Sequence, residues 1–322
     1  MIGQAIARAK WLPGFALLVL FVPIVVRAQV DAGGQQDDSF TLRVNVKLVS
    51  VFTNVTDANG AIVGGLSKED FAVTEDGRPQ KIAVFERQSE LPLSLMLAID
   101  TSGSVHKDLP LEQEAARKFV HALLRSQDQL SLLEFSNDVR QVVGFTNQAA
   151  KIERGLANLR GGQATALYDA VYLASDTLAK TGKGSKPTRR VLIVVSDGGD
   201  TANTVTYADA LEHALRGEVM IYSIIDVPIA ASAGRDTGGE HAMITLAEQT
   251  GGKYFYAESG ALDAAFTKVS EDLRTQYLLG YYPQNQEPGL NFHRIRVTVP
   301  RAATEAFDIR YRTGYYANSQ PD

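Results

Sequence analysis

The chain of 322 residues contains no cysteine. Disulfides and thiolate metal ligands are thereby excluded, and any metal site must be built from oxygen or imidazole. Histidine is scarce as well: there are five (His106, His121, His213, His241 and His293), and no two stand at the spacing of a shared site. Oxygen is therefore the ligand to look for. Internal repeats and low-complexity tracts are missing, and no Lys/Arg patch with interleaved aromatics offsets the formal net charge of −5. An acidic chain of this kind repels a nucleic-acid backbone, so nucleic acid is excluded as a partner. What is present is ordinary globular composition, 45% hydrophobic and 21% charged, enough for one large or two medium cores.

The opening stretch differs from the rest. Arg8 and Lys10 precede or flank an apolar run from Trp11 to Val26, and Val26-Arg27-Ala28 closes it. A positive start, an apolar middle and a small residue at the cut are the layout of a secretory signal peptide, residues 1–28. The alternative is a retained membrane anchor, although the run falls short of the roughly 20 residues that span a bilayer. In either case the remainder is expected to be secreted or periplasmic, with membrane contact only if this segment is kept. Loss of Arg8, Lys10 and Arg27 takes the formal charge from −5 to −8. Residues 29–38, polar and Gly-bearing, read as a linker.

Beyond the linker the texture changes twice. Residues 39–91 alternate apolar and polar side chains, are rich in Val and Thr, and break at Asn59-Gly60 and Asp76-Gly77, the dipeptides of tight hairpins. Residues 92–278 then alternate apolar runs such as "LSLMLAI" and "VLIVVS" with amphipathic helical stretches, beginning with Leu111, Ala115, Phe119 and Leu123 behind Pro110. Residues 279–322 return to alternation. The expected fold is α/β: a doubly wound, mostly parallel sheet flanked by a small antiparallel β unit made from the N- and C-terminal segments. The tyrosines of the tail (Tyr281, Tyr282, Tyr311, Tyr315, Tyr316) read as packing residues. Asn54-Val55-Thr56 matches a glycosylation acceptor, a pattern too short to carry weight.

Ligands of open α/β sheets bind beyond the carboxyl ends of the strands, where the strand order reverses. Asp100 ends "LMLAI" and Asp197 follows "VLIVVS". In the strand order 3-2-1-4-5-6 these are neighbours at the reversal, and the two carboxylates share a crevice. Ser102 and Ser104 follow Asp100 at alternate positions, and Thr165 stands after the Gly161-Gly162 turn, just ahead of a helix. Two acids and three hydroxyls suit a hard cation. Mg²⁺ takes six oxygens at about 2.1 Å and keeps several waters, so it needs few protein ligands.

"DTSGS" after an apolar strand, the Thr of "GGQATALYDAV" and the Asp of "VVSDGGDT" together resemble the metal-ion-dependent adhesion site of von Willebrand factor type A domains. The likeness covers residues 92 to about 278. It implies that Asp100, Ser102, Ser104, Thr165 and Asp197 are metal ligands, with Mg²⁺ as the ion and Mn²⁺ or Ca²⁺ as alternatives. It also implies a protein partner that supplies a carboxylate. The flanking β segments are similar to those of exported bacterial proteins with this domain. Against the metal reading stand simpler roles: helix caps for Ser102, Ser104 and Thr165, and a turn for Asp197, with Asp200 as a solvated or supporting acid and Asp169 as a loop anchor.

The sequence supports an exported, metal-dependent protein-binding module for adhesion or assembly. No general base or nucleophile stands in a catalytic position, so no enzyme activity and no small-molecule substrate are expected. The alternatives are a structural module with an unfilled site and a Mg-dependent phosphohydrolase. The latter chemistry needs an acid two residues beyond Asp100, where this chain has Ser102.

Overall fold

The computed structural model describes residues 48–87, 90–103, 109–182, 188–202, 204–227, 237–258, 261–284, 291–300 and 307–317. The expected signal peptide, the linker, the first residues of the N-terminal β segment, Ser104 and His106 lie outside the described residues. In chain order, β1 (Val49–Thr56), β2 (Ala72–Glu75), β3 (Arg78–Gln80) and β4 (Ile82–Arg87) come first. The α/β part follows: β5 (Leu93–Asp100), α1 (Leu109–Leu123), β6 (Gln129–Phe135), β7 (Val139–Thr146), α2 (Ala149–Leu156) and α3 (Leu167–Ala179). It continues through β8 (Arg189–Ser196), α4 (Tyr207–Arg216), β9 (Val219–Val227), α5 (Thr237–Thr250), β10 (Tyr254–Glu258) and α6 (Leu262–Arg274). Last come β11 (Tyr277–Tyr281), β12 (Phe292–Thr298), β13 (Asp308–Arg310) and β14 (Gly314–Tyr316).

Strand β5 is buried at all eight positions. A run with no polar face must be covered on both sides, which is the condition of a central strand in a parallel sheet. The sheet around it has the order β10-β9-β8-β5-β6-β7. Every neighbouring pair is parallel except β6 with β7. Side chains along β5 alternate between two cores: Leu95, Leu97 and Ile99 meet α1, α2 and α6, while Met96 and Ala98 meet α3, α4 and α5. Phe119 of α1 stacks on Phe266 of α6 with ring centroids 4.7 Å apart. Burying each such ring contributes about 1.5–3 kcal/mol.

The terminal segments interleave. One four-stranded antiparallel sheet runs β13-β1-β11-β4 and a second runs β14-β12-β2-β3, so each combines strands from both ends of the chain. A shared core of Val51, Val73, Leu279, Tyr281, Ile295 and Tyr315 joins them. The turn at Asp76-Gly77 has φ of 49° and 80°, the left-handed pair that a two-residue hairpin requires. At the other expected hairpin the positive φ belongs to Gly60, and Asp57 Oδ1 accepts the amides of Asn59 and Ala61.

Three details depart from the sequence reading. Leu111 is 55% exposed, and the buried face of α1 is instead Leu109, Ala115, Ala116, Phe119, Val120 and Leu123. The last helical stretch, expected over about Leu262 to Tyr277, stops at Arg274, because Tyr277–Tyr281 is buried throughout and hydrogen-bonded on both edges as β11. Helix α2 was not expected; it is short and rests on Ile152, Gly155 and Leu156. Asn54 is buried and its amide donates to Asp272 O at 3.0 Å, which is incompatible with a glycan. No helix among the described residues is long and apolar enough to cross a membrane.

Candidate metal centre

Strands β5 and β8 pair in parallel, with Ile99 opposite Val195. Asp100 therefore emerges beside Ser196, and Asp197 follows one residue later at the same edge of the sheet. Asp100 is 1% exposed and its carboxylate is held on both sides. Ser102 N donates to Oδ1 at 2.8 Å, and Ser196 Oγ donates to Oδ2 at 2.7 Å. Burial pushes the Asp100 carboxyl up to about 6 despite the hydrogen bonds from Ser196 and Ser102, and the charge of Asp197 adds to the rise.

The loop carrying Thr165 is fixed by backbone bonds to both of the other loops. Gly162 N donates to Thr101 O at 2.8 Å, while Thr201 N and Ala202 N donate to Thr165 O at 2.8 and 3.0 Å. Thr165 N in turn donates to Thr201 Oγ1 at 3.0 Å. Glycine is required at position 162 by close approach, since a Cβ there would lie 2.3 Å from Ser136 Oγ. Asn137 Oδ1 accepts Gln163 N at 2.8 Å and completes the seat.

Four of the five expected ligands, Asp100, Ser102, Thr165 and Asp197, are thus carried by three mutually bonded loops: two at the carboxyl ends of the adjacent strands β5 and β8, and the one between α2 and α3. The fifth, Ser104, lies outside the described residues. Ser102 and Thr165 are buried and Asp197 is half-buried. A Cβ added at Gly199 would sit 3.4 Å from Asp197 Oδ1 and 3.8 Å from Thr165 Oγ1, so these two oxygens border one small space beside a glycine. The donor set is carboxylate and hydroxyl throughout, which fits a hard divalent cation and suits neither a soft metal nor a redox centre.

The supporting acids have other work. Asp200 Oδ1 accepts Leu167 N at 2.9 Å and caps α3. Asp169 accepts Thr204 N and Val205 N at 3.0 and 2.8 Å, anchoring the loop before α4. Ser196 was missed by sequence reasoning, because a serine ending an apolar strand reads as filler. Its significance comes from register: parallel pairing of "LMLAID" with "LIVVS" sets it next to Asp100.

A profile described as the von Willebrand factor type A domain matches residues 95–199. The chain contains a von Willebrand factor type A domain. The match takes in the first and fourth strands of the doubly wound sheet and the loops holding Asp100, Ser102, Thr165 and Asp197. No curated protein matches the chain. Solved structures similar to it include an aerotolerance-related membrane protein from Bacteroides fragilis, with 18% identity over 56% of this chain and 98% of that one, at a TM-score of 0.45. The domain of the type V pili tip protein Mfa5 from Porphyromonas gingivalis is 13% identical over 56% of this chain and 94% of that one, at 0.45. Proximal thread matrix protein 1 from the mussel byssus, solved with a zinc-occupied MIDAS motif, is 15% identical over 58% of this chain and 49% of that one, at 0.46.

A second group of possible ligands lies away from the VWA loops. Glu75, Asp76 and His293 come together through the pairing of β2 with β12, their ligand atoms within 4.8 Å of one another. The spacing of histidines in the sequence gave no sign of it. Glu75 Oε2 accepts Tyr281 OH at 2.7 Å and Tyr315 OH at 2.9 Å, Asp76 Oδ1 accepts Arg294 N at 2.8 Å, and Asp76 Oδ2 meets His293 Nδ1 at 2.7 Å. With these oxygens engaged, the cluster reads as a polar lock between strands.

Proposed function

We propose that the protein is an exported binding module whose VWA domain holds a divalent cation, Mg²⁺, on Asp100, Ser102, Ser104, Thr165 and Asp197 and captures an acidic side chain of a protein partner. The observation supporting this reading is the meeting of three hydrogen-bonded loops at the reversal of strand order, with one fully buried carboxylate, a second beside it and hydroxyls between. Burial is the main cause of the upward shift of Asp100, and the neighbouring charge of Asp197 adds to it; a cation bound between the two acids would offset both costs. A bound Mg²⁺ supplies positive charge and a coordination position that an outside carboxylate can take. The protein's own part is rigidity: Ser196 and the Ser102 amide hold Asp100, Thr201 holds the Thr165 loop, and Asp200 anchors α3 behind it. Export is supported by the Arg8–Ala28 segment, with its charged start, apolar middle and small-residue end.

Thermal denaturation in EDTA and in millimolar Mg²⁺ or Mn²⁺ tests the site. At metal concentrations about 100-fold above Kd the folded state gains about 2.7 kcal/mol, a rise of roughly 4–5 °C for a protein of this size. Asp197→Ala is expected to abolish the rise while leaving the metal-free melt within a degree or two. An unchanged wild-type melt overturns the metal reading. Capture of acidic peptides that persists in EDTA would overturn the proposed mode of binding.

A further inference from the structure

At the opposite end of the central sheet, under the amino ends of β8 and β9, lies a cavity of about 280 Å³. Its walls come from both parts of the molecule: Phe52 of β1, Arg189 and Arg190 of β8, Leu215 of α4, Met220 of β9 and Arg312 of the β13–β14 loop. Eight-residue strands at about 3.3 Å per residue separate it from the metal loops by roughly 25 Å.

The polar side of this cavity is cationic. Three guanidinium groups line it, against one carboxylate, Glu218, among the described residues. Arg312 is 7% exposed. Its Nη2 donates to Ser50 O at 2.9 Å, but Nε and Nη1 have no hydrogen-bond partner among the described residues. Glu218 Oε2 forms an ion pair with Nη1 at 3.7 Å, too long for a hydrogen bond, so the donors themselves stay unfilled. Arg190 repeats the pattern, with Nη1 and Nη2 bonded to the carbonyls of Gly217 and Thr181 and its buried Nε left over. Arg189 spends Nη1 on Leu273 O at 2.7 Å. Burial pushes both Arg189 and Arg190 down from the ordinary arginine value. An arginine cannot escape by losing its proton, so buried donors left over beside a cavity call for an anion.

Apolar walls complete the cavity, contributed by Phe52, Leu215, Val219 and Met220 among others, beside the polar Ser50, Thr188, Thr250 and Gln276. A bare inorganic anion would satisfy the guanidinium groups and leave these walls facing water. We propose that this cavity is a second ligand site, independent of the metal, for a small amphipathic organic anion: a carboxylate engaging Arg312 and Arg190, with a short hydrocarbon part against the apolar walls. The volume is at the small end of ligand cavities, which limits the occupant to a compact molecule. A small-molecule ligand is absent from the expectations drawn from the sequence, since the three arginines are brought together only by the fold.

Hexanoate is a suitable probe and hexanamide its neutral control, both measured in EDTA so that metal-dependent carboxylate capture cannot contribute. Calorimetry is expected to give a Kd for hexanoate on the order of 1 mM, the range open to a ligand of so few atoms. Hexanamide should bind at least tenfold more weakly, and the methyl resonances of Met220 and Leu215 should shift with hexanoate. Arg312→Gln and Arg190→Gln should each weaken hexanoate at least tenfold. Should Arg312→Gln fail to fold, Arg190→Gln decides alone, its fold checked by its own melt. No binding at about 20 mM hexanoate, equal binding of the amide, or undiminished binding in a folded Arg190→Gln protein would each overturn the proposal.

Discussion

Ser196 does the most with the least side chain. Its Oγ donates to Asp100 Oδ2 at 2.7 Å and accepts Gly198 N at 3.1 Å, so one hydroxyl fixes both the buried acid and the start of the loop bearing Asp197. Ser196→Ala removes the donor and leaves a buried carboxylate oxygen short of a partner, a change that costs about 1–3 kcal/mol. Partners of metal ligands typically control affinity by about 10–100-fold. The variant is therefore expected to be less stable and to bind Mg²⁺ at least tenfold more weakly, as read by metal titration of the melt. Thr201→Ala gives a comparison, because Thr201 acts on the Thr165 backbone and not on a carboxylate; its effect on metal affinity should be smaller. At this scale Asp100, Ser102, Thr165 and Asp197 were legible because each stands next to an obvious strand end or turn. Ser196 was not, since its meaning depends on which strand lies alongside.

Elements set where those residues can go. The β8–α4 loop passes so close to α5 that a Cβ at Gly239 would fall 1.6 Å from Gly198 O, and one at Gly198 would fall 2.7 Å from Glu240 N. Gly239→Ala must push the loop, and Asp197 with it, off the helix. The expectation is a loss above about 2 kcal/mol in urea unfolding, together with a weaker metal response. This contact was not legible in the sequence, because two glycines far apart carry no mark of their meeting. Helix α2 escaped for a different reason: Ile152, Gly155 and Leu156 are too few apolar positions to show a period.

The pairing of β2 with β12 makes a pH prediction. Burial alone would raise Asp76, but the His293 hydrogen bond, the Arg294 amide and the nearby positive charges outweigh it and hold the carboxyl below its ordinary value of 3.8. A carboxyl lowered by folding stabilises the protein above its unfolded pKa, and that contribution disappears as pH falls through the folded value. Between neutral pH and about pH 5 the wild type should exceed Asp76→Asn in urea midpoint by a constant margin. The margin should shrink as pH falls through 4 and below. A gap that stays constant to pH 3 would show that the carboxylate's charge is not what His293 and the Arg294 amide select.

Across the whole molecule, the alternation of buried strands and amphipathic helices announced the doubly wound sheet, while its strand order was taken as the common one for such sheets and is the one observed. The β segments were legible as strands but not as two sheets, since pairing between residues more than 200 positions apart leaves no local trace. Asp272 shows how closely the two parts are joined: it accepts Tyr222 OH at 2.6 Å from β9 and pairs with Arg310 of β13. A chain cut after residue 276 would strip β1 of β11 and β13, and Asp272 of Arg310. It is expected to melt at least 10 °C lower than the full protein and to expose residues 48–87 to limited proteolysis, whereas a chain ending at residue 317 should do neither.

The interleaved ends also impose an order of events on synthesis. Strands β1 to β4 leave the ribosome before the α/β part, yet the partners that flank β1 and cover β2 are made about 220 residues later or more, at least some 10–40 s at ordinary elongation rates. For that interval the early strands have open edges, the surfaces through which unfinished chains stick to one another. The α/β part between them can close locally, but the molecule as a whole cannot finish until its last forty residues or so arrive.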